Sequence, residues 1–385
     1  MAEQLKSFFS PVLVRRLAAE IARVHPAFPV RAFVKQATAG LGELELMDRG
    51  RHIARALAVH LPESYPDAIE ILLRSLGPEH ASEELLGVGM APFFYLPHLL
   101  FVADRGVDHF DVSMRAQYEL TKRFSAESSI RPYIAKYPER TFAVLRTWTQ
   151  DPNAHVRRLV SEGTRLRLPW AARVAWLDAN PEHVLELLDL LKDDPAPLVR
   201  RSVANNLNDM GKVHPDLLTS TCAAWLEDAS PERRSLVEHA LRSAVKRGHA
   251  DALALLGYGE GASVAVERPT FAPRRVPIGG RVVISFLLRS TSREPQSLLV
   301  DMAVHFVKAN GESAPKVFKL KRVTLPPRAR MEFQTTVSLA VHTTRTPRPG
   351  NHAVDVMVNG QATRLGSFDV IAHPVDSAAR RSTRR

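Results

Sequence analysis

The 385-residue chain has a single cysteine, Cys222. One thiol excludes an intramolecular disulfide and any metal site made of clustered cysteines, and it fits a reducing, intracellular setting. No apolar run reaches the roughly 20 residues that a membrane-spanning helix needs. The opening MAEQLKSFFSPVLVRRLAAEIARV breaks its apolar pattern with Glu3, Arg15, Arg16 and Glu20, unlike a secretory signal. A cytoplasmic protein without a membrane partner is therefore expected. The 15 histidines are scattered, with no HExxH or comparable pair. His52, His155 and His239 read as capping, core or solvent residues, and neither a metal nor another cofactor is expected. Acidic residues are in deficit: 41 Asp and Glu stand against 52 Lys and Arg, leaving a net charge of +11. That balance favours a polyanionic partner.

What is present suffices for two ordinary cores, since 45% of residues are apolar and 24% charged. Residues 1–258 read as successive helices with apolar positions at three- and four-residue spacing, Val12–Val24, Pro66–Leu76 and Pro181–Leu191 among them. From Val264 the texture turns to beta-branched alternation in RVVISFLLRS, SLLVDMAVHFV, KVFKLKRVTL and MEFQTTVSLAV, and Asn359-Gly360 marks a hairpin. Gly257–Ala262 is the expected seam. Residues 263–373 then hold about seven strands, the size and spacing of an immunoglobulin-like sandwich. The basic tail 374–385 is expected to be disordered.

The helical part repeats itself. DPNAHVRR at Asp151 returns as DPAPLVRR at Asp194, a 43-residue step, and a looser copy begins 34 residues on at Asp228. Such periods belong to HEAT-like repeats, pairs of helices stacked into a solenoid. Trp148, Leu191 and Trp225 each precede the repeat aspartate by three residues, so both tryptophans are expected in the core. The aspartate and proline suit a helix start. On a helical wheel Val156, Val160, Gly163 and Arg167 share one side, while Arg158, Glu162 and Arg165 gather on the other. The second copy presents Arg201, Asn205 and Asn208 there, with Asp209 at the edge. Two readings of that face stand side by side. Arg158 and Glu162 form a solvated i, i+4 pair, or aligned helices line a groove whose arginines bind phosphate and whose carboxylates face developing positive charge. Trp170, which has Val213 as its counterpart in the next repeat, is either core or a face for a cationic ring.

LKSFFSPVLVRRLA, FPVRAFVKQATAGLGELELMDRGRHIARAL, FSAESSIRPYI, DPNAHVRRLVSEGTRLRLPW and DPAPLVRRSVANNLNDMGK together resemble the HEAT-like-repeat alkylpurine DNA glycosylases, specifically the AlkC branch with its C-terminal immunoglobulin-like domain. The resemblance implies excision of 3-methyladenine and 3-methylcytosine by hydrolysis of the N-glycosidic bond. It implies catalytic roles for Glu127, Glu162 and Asp209, with Trp170 beside the lesion and the base reached in bent DNA without a tight pocket. Glu127 enters by resemblance alone; by itself it is an ordinary glutamate ahead of a helix started near Pro132. The phosphate-binding candidates are Arg157, Arg158, Arg165, Arg200 and Arg201. The sandwich is expected to clamp DNA through APRRVPIGG, KANGESAPK and HTTRTPRPG, which carry Arg274, Arg275, Lys308, Lys316, His342, Arg345 and Arg348; arginine in the last suits a minor groove. The expected partner is double-stranded DNA with alkylated bases, bound by a monomer. A non-catalytic HEAT scaffold is the alternative.

Overall fold

The computed structural model describes residues 5–80, 91–259, 261–341 and 346–372. The chain divides into two compact units, Met1–Ala240 and Leu241–Arg385.

The described residues of the first unit form helices and their connections. In chain order its helices are α1 (Pro11–Val24), α2 (Val30–Thr38), α3 (Leu46–His60), α4 (Tyr65–Arg74), α5 (Leu96–Arg105), α6 (Phe110–Thr121), α7 (Arg131–Lys136) and α8 (Pro138–Trp148). They continue with α9 (Ala154–Gly163), α10 (Ala175–Ala179), α11 (Pro181–Leu191), α12 (Pro197–Met210), α13 (Pro215–Leu226) and α14 (Pro231–Lys246), which runs into the second unit, followed there by α15 (Ala250–Leu255). Proline in the first turn of α1, α4, α5, α7, α8, α11, α12 and α13 explains the punctuation, because its preset φ suits that turn and its missing N–H is not needed there. In α1 the buried set Leu13, Val14, Leu17, Ala18 and Ile21 follows the helical period.

The repeat is real, but its aspartates do not cap the helices. Asp151 accepts the backbone N–H of Asn153 at 2.8 Å, and Asn153 then caps α9 by accepting from His155. Asp194 accepts from Ala196 N–H at 2.8 Å, one residue before Pro197 opens α12. Both make an Asx turn that delivers the chain to the helix. Trp148 and Trp225 are buried, as expected, and Trp225 donates its indole N–H to Asp189 at 3.1 Å. The wheel drawn from Val156 fails beyond Gly163, where α9 ends, so Arg165 and Arg167 stand on a turn. Gly163 is required there, because an added Cβ would lie 2.7 Å from Ile130 Cγ2. α9 and α12 meet along a polar seam: Ser161 donates to Ser202 at 2.7 Å, and Asn206 donates to Ser161 O at 2.8 Å and to Thr164 Oγ1 at 3.0 Å.

The described residues of the second unit form eight strands: β1 (Val264–Ala272), β2 (Arg275–Pro277), β3 (Arg281–Ser290), β4 (Gln296–Val307), β5 (Ser313–Leu325), β6 (Arg330–Ser338), β7 (Gly350–Val358) and β8 (Gln361–Ile371). They form two sheets, β1-β3-β6 and β2-β8-β7-β4-β5. Alternate residues of β3, β4, β7 and β8 supply a common core that includes Ile284, Phe286, Met302, Val304, Val356 and Phe368. Asn359 and Gly360, both at positive φ, turn the β7–β8 hairpin. This is the expected immunoglobulin-like sandwich with one more strand. β2 lies inside APRRVPIGG, so Arg275 pairs in parallel with Asp369 of β8 and is not a loop residue. Lys316 likewise belongs to β5, opposite Val304. Registers Arg281–Ser338 and Gly350–Val370, and the closeness of Gly350 to Val307, bring the starts of β3, β5 and β7 to one end. Arg274, Arg275 and Arg348 are exposed there. His342, Arg345 and the tail 374–385 lie outside the described residues.

Candidate active site

Three elements bring the acidic candidates together. α9 presents Arg158 and Glu162 one turn apart, α12 presents Ser202 and Asp209, and the segment ahead of α7 presents Ser125 and Glu127. Arg158 reaches Glu127 Oε2 at 3.3 Å and Glu162 Oε2 at 3.6 Å. Arg165 bonds Glu162 Oε1 at 2.5 Å and Asp209 Oδ2 at 2.8 Å. Lys212 closes the row on Asp209 Oδ1 at 2.7 Å. Three carboxylates thus alternate with three cations, Glu127–Arg158–Glu162–Arg165–Asp209–Lys212, in one continuous network. The arrangement differs from the open face drawn on the wheel. Glu162 is 5% exposed and Asp209 1%, because α9 and α12 press those faces together. The solvated i, i+4 reading of Arg158 and Glu162 therefore does not hold: Arg158 spans two carboxylates, and one is buried.

Ser202 shows why Glu162 tolerates burial. Its hydroxyl accepts from Ser161 and donates to Glu162 Oε2 at 2.6 Å. Desolvation alone would push the Glu162 carboxyl up. The charges of Arg158 and Arg165, with hydrogen bonds from Ser202 and Arg165, outweigh it and hold the carboxyl below the usual range. Burial works against the charge of Arg165, and Glu162 and Asp209 overcome it, raising its pKa further. Glu127 differs from the other two: both its bonds, from Ser125 at 2.7 Å and from Arg158, fall on Oε2, and its side chain keeps 30% exposure. The site therefore holds two locked carboxylates and one that solvent or a ligand can approach. Ser202 was legible as an anomaly, since it stands where the first repeat copy has Leu159. Glu127 gives no such signal, because its segment has no period.

Beside Glu127 and Arg158 opens a cavity of about 250 Å³ walled by Phe93, Phe124, His80 and Trp170. Trp170 is 67% exposed, which removes the core reading. Its φ of 60° is a left-handed conformation that costs a bulky residue about 1–3 kcal/mol and persists only where neighbours impose it. An exposed indole held in strain at a cavity rim is suited to contact a flat ligand.

The two arginines of each VRR motif divide their labour. Arg157 donates to Asp151 O and Pro152 O, and Arg200 to Asp194 O and Pro195 O, so the first arginine ties the Asx turn to its helix in both copies. Arg157 also grips Asp194 through two bonds, 2.6 and 2.9 Å, joining successive repeats. The second arginine differs between the copies: Arg158 enters the carboxylate network, while Arg201 is exposed and lines a separate hollow of about 410 Å³ with Arg200 and His239. Of the histidines, His155 is buried, and His52 bonds Gln36 O at 3.0 Å.

Residues 124–248 match a family described as "DNA alkylation repair enzyme", and residues 265–372 match one described as "Uncharacterised protein YhaZ, C-terminal Ig-like domain". The chain is 32% identical over 370 residues to the uncharacterized protein YhaZ of Bacillus subtilis (strain 168), covering 95% of this chain and 99% of that one. A solved structure, the alkylpurine DNA glycosylase AlkC of Pseudomonas fluorescens bound to DNA containing an abasic site analog, superposes with a TM-score of 0.87 at 39% identity. That match covers 96% of this chain and 99% of the other. The chain therefore belongs to the DNA alkylation repair family, in the AlkC and YhaZ branch that joins a helical-repeat solenoid to a C-terminal immunoglobulin-like domain.

Proposed function

We propose that the protein is a DNA glycosylase that hydrolyses the N-glycosidic bond of cationic N3-methylated bases, 3-methyladenine and 3-methylcytosine, in double-stranded DNA. The observation that carries this reading is the row of Glu127, Glu162 and Asp209 held by Arg158 and Arg165 beside the exposed face of Trp170. The 39% identity to AlkC from Pseudomonas fluorescens, whose structure holds abasic-site DNA, supports it.

The chemistry suits these residue types. Methylation at N3 leaves the base positively charged, so the C1′–N bond breaks with its electron pair going to the base, which departs neutral and needs no enzymatic acid. The sugar becomes an oxocarbenium-like cation. Glu162, held ionised by two arginines and Ser202, is a fixed negative charge for that cation. Glu127, the most accessible carboxylate of the row, aims a water at C1′ and accepts its proton. Asp209 holds Arg165, and so the far oxygen of Glu162, in place. The indole of Trp170 offers its negative face to the methylated ring. Arg274, Arg275 and Arg348 are the described residues for DNA-backbone or minor-groove contact by the sandwich.

Base release from oligonucleotides bearing 3-methyladenine, 3-methylcytosine or 7-methylguanine tests the reading against a DNA-binding scaffold. The first two bases should be freed, and Glu162→Gln should slow release roughly 100- to 1,000-fold, the usual loss for one preorganised electrostatic partner, with DNA binding retained. Release of 7-methylguanine alone, or DNA binding without any release, would overturn it.

A further inference from the structure

The glycosylase reading requires three separate pieces of chain to keep one geometry: the Ser125–Ser128 segment with Glu127, the end of α9 with Glu162, and the connection 164–173 with Arg165 and Trp170. Regular hydrogen bonding alone does not bind these pieces to each other. We infer that Arg131, outside the carboxylate row, is the positioning residue that locks them together; this rests on the reading above.

Arg131 opens α7 and is 3% exposed. Its Nε donates to Ala172 O at 2.9 Å, and its Nη1 donates to Gly163 O at 3.0 Å and Arg165 O at 2.8 Å. One guanidinium thus takes a carbonyl beside Glu162, the carbonyl of Arg165 itself, and a carbonyl two residues beyond Trp170. The Gly163 and Arg165 carbonyls lie at the C-terminal end of α9, where acceptors lack helical partners and a cation is favoured. The Ala172 bond anchors the far side of the left-handed Trp170 backbone. On the near side, Arg131 follows Glu127 by four residues in a segment closed by Ile130 N–H on Ala126 O at 3.1 Å and pinned to α6 by Ser129 on Gln117 at 3.1 Å. A shift of the guanidinium therefore moves Glu127 against Glu162 and Trp170. Burial lowers the Arg131 pKa to about 10, with Asp178 opposing and Arg165 and Arg167 adding to the fall; the group stays charged at neutral pH. Lysine has no planar fork to serve acceptors on two sides.

The test is Arg131→Lys in the full-length protein, read three ways: single-turnover release of 3-methyladenine, affinity for the same DNA, and amide exchange along the chain. Positioning predicts a rate loss of roughly 100-fold, the scale of an ångström of misplacement, at unchanged affinity, with exchange accelerated in 163–173 and unchanged in α12. An unchanged rate with unchanged exchange, or exchange accelerated equally throughout, overturns it. If the wild type frees no methylated base, the glycosylase reading fails, and the exchange pattern still decides whether Arg131 locks the connection. Should Arg131→Lys not fold, Arg131→Gln is read in the same way. Failure of both to fold assigns Arg131 to global stability and overturns the inference.

Discussion

At the level of single residues, the site is a problem in charge compensation. A buried carboxylate costs several kcal/mol unless its lone pairs are met, and Glu162 meets the cost with two guanidinium groups and a hydroxyl. Arg165 is shared with Asp209, so the two acids act through one cation. Glu162→Gln and Asp209→Asn should each lower base release, and the double variant should lose less than the product of the single losses, because each change removes one of the two anchors of the shared Arg165 and so already disturbs the other acid's contact. A fully multiplicative result would show that the acids act independently. Glu162 and Arg165 were legible from the repeat, since their equivalents Asn205 and Asn208 are uncharged, and Asp209 stood at the edge of the same face; Arg158 simply recurs as Arg201. Their partners were not, because a wheel gives direction and not the distance to the next helix. Glu127 was legible only by resemblance, since no period governs its segment.

At the level of elements, helices and strands followed their patterns, and the departures have local causes. Asp151 and Asp194 make Asx turns and not caps because their side chains reach the N–H two residues on, before the helix begins. β2 is short and flanked by Pro273 and Gly279, so its pairing with β8 left no alternation to read. The end of α9 carries a sharper consequence. Helix propensity favours Gly163→Ala by about 1 kcal/mol, yet the new methyl would meet Ile130 at 2.7 Å. Overpacking of this kind costs about 1–3 kcal/mol, so the variant should be less stable in urea titrations despite its better propensity. Gly42→Ala, at a position with open space around it, should show no such loss. A Gly163→Ala variant about 1 kcal/mol more stable than wild type would mean that the contact between Ile130 and α9 yields without cost.

At the level of the whole molecule, the +11 charge and the buried ionisable groups set the response to salt and pH. Phosphate binding by the sandwich end should give a steep salt dependence. Replacing exposed Arg274 and Arg348 by alanine should lower the slope of log K against log salt by about 0.9 for each phosphate no longer neutralised, and an unchanged slope would remove that end from the DNA interface. Acid stability depends on a different group. His98 in α5 is 1% exposed between Phe94 and Tyr95, and its Nδ1 has no hydrogen-bond partner among the described residues. Burial pushes its pKa from 6.5 down to about 4. Below pH 6.5 the unfolded chain takes up a proton that the folded one refuses, so stability falls as pH drops through 6.5 and levels off only near 4, by on the order of 3 kcal/mol. Glu162, whose pKa is depressed, acts in the same direction at lower pH: its stabilisation is complete above the ordinary carboxylate range and is lost only as pH falls below it. The two windows therefore separate. Melting temperature should already fall between pH 7 and 5 in the wild type, and His98→Leu should reduce that fall while leaving the smaller part due to His80 and His352, whose pKa values burial also lowers, and the steeper loss below pH 4. A wild-type melting temperature that stays level from pH 7 to 5 would mean that the imidazole reaches water or a partner in the folded protein.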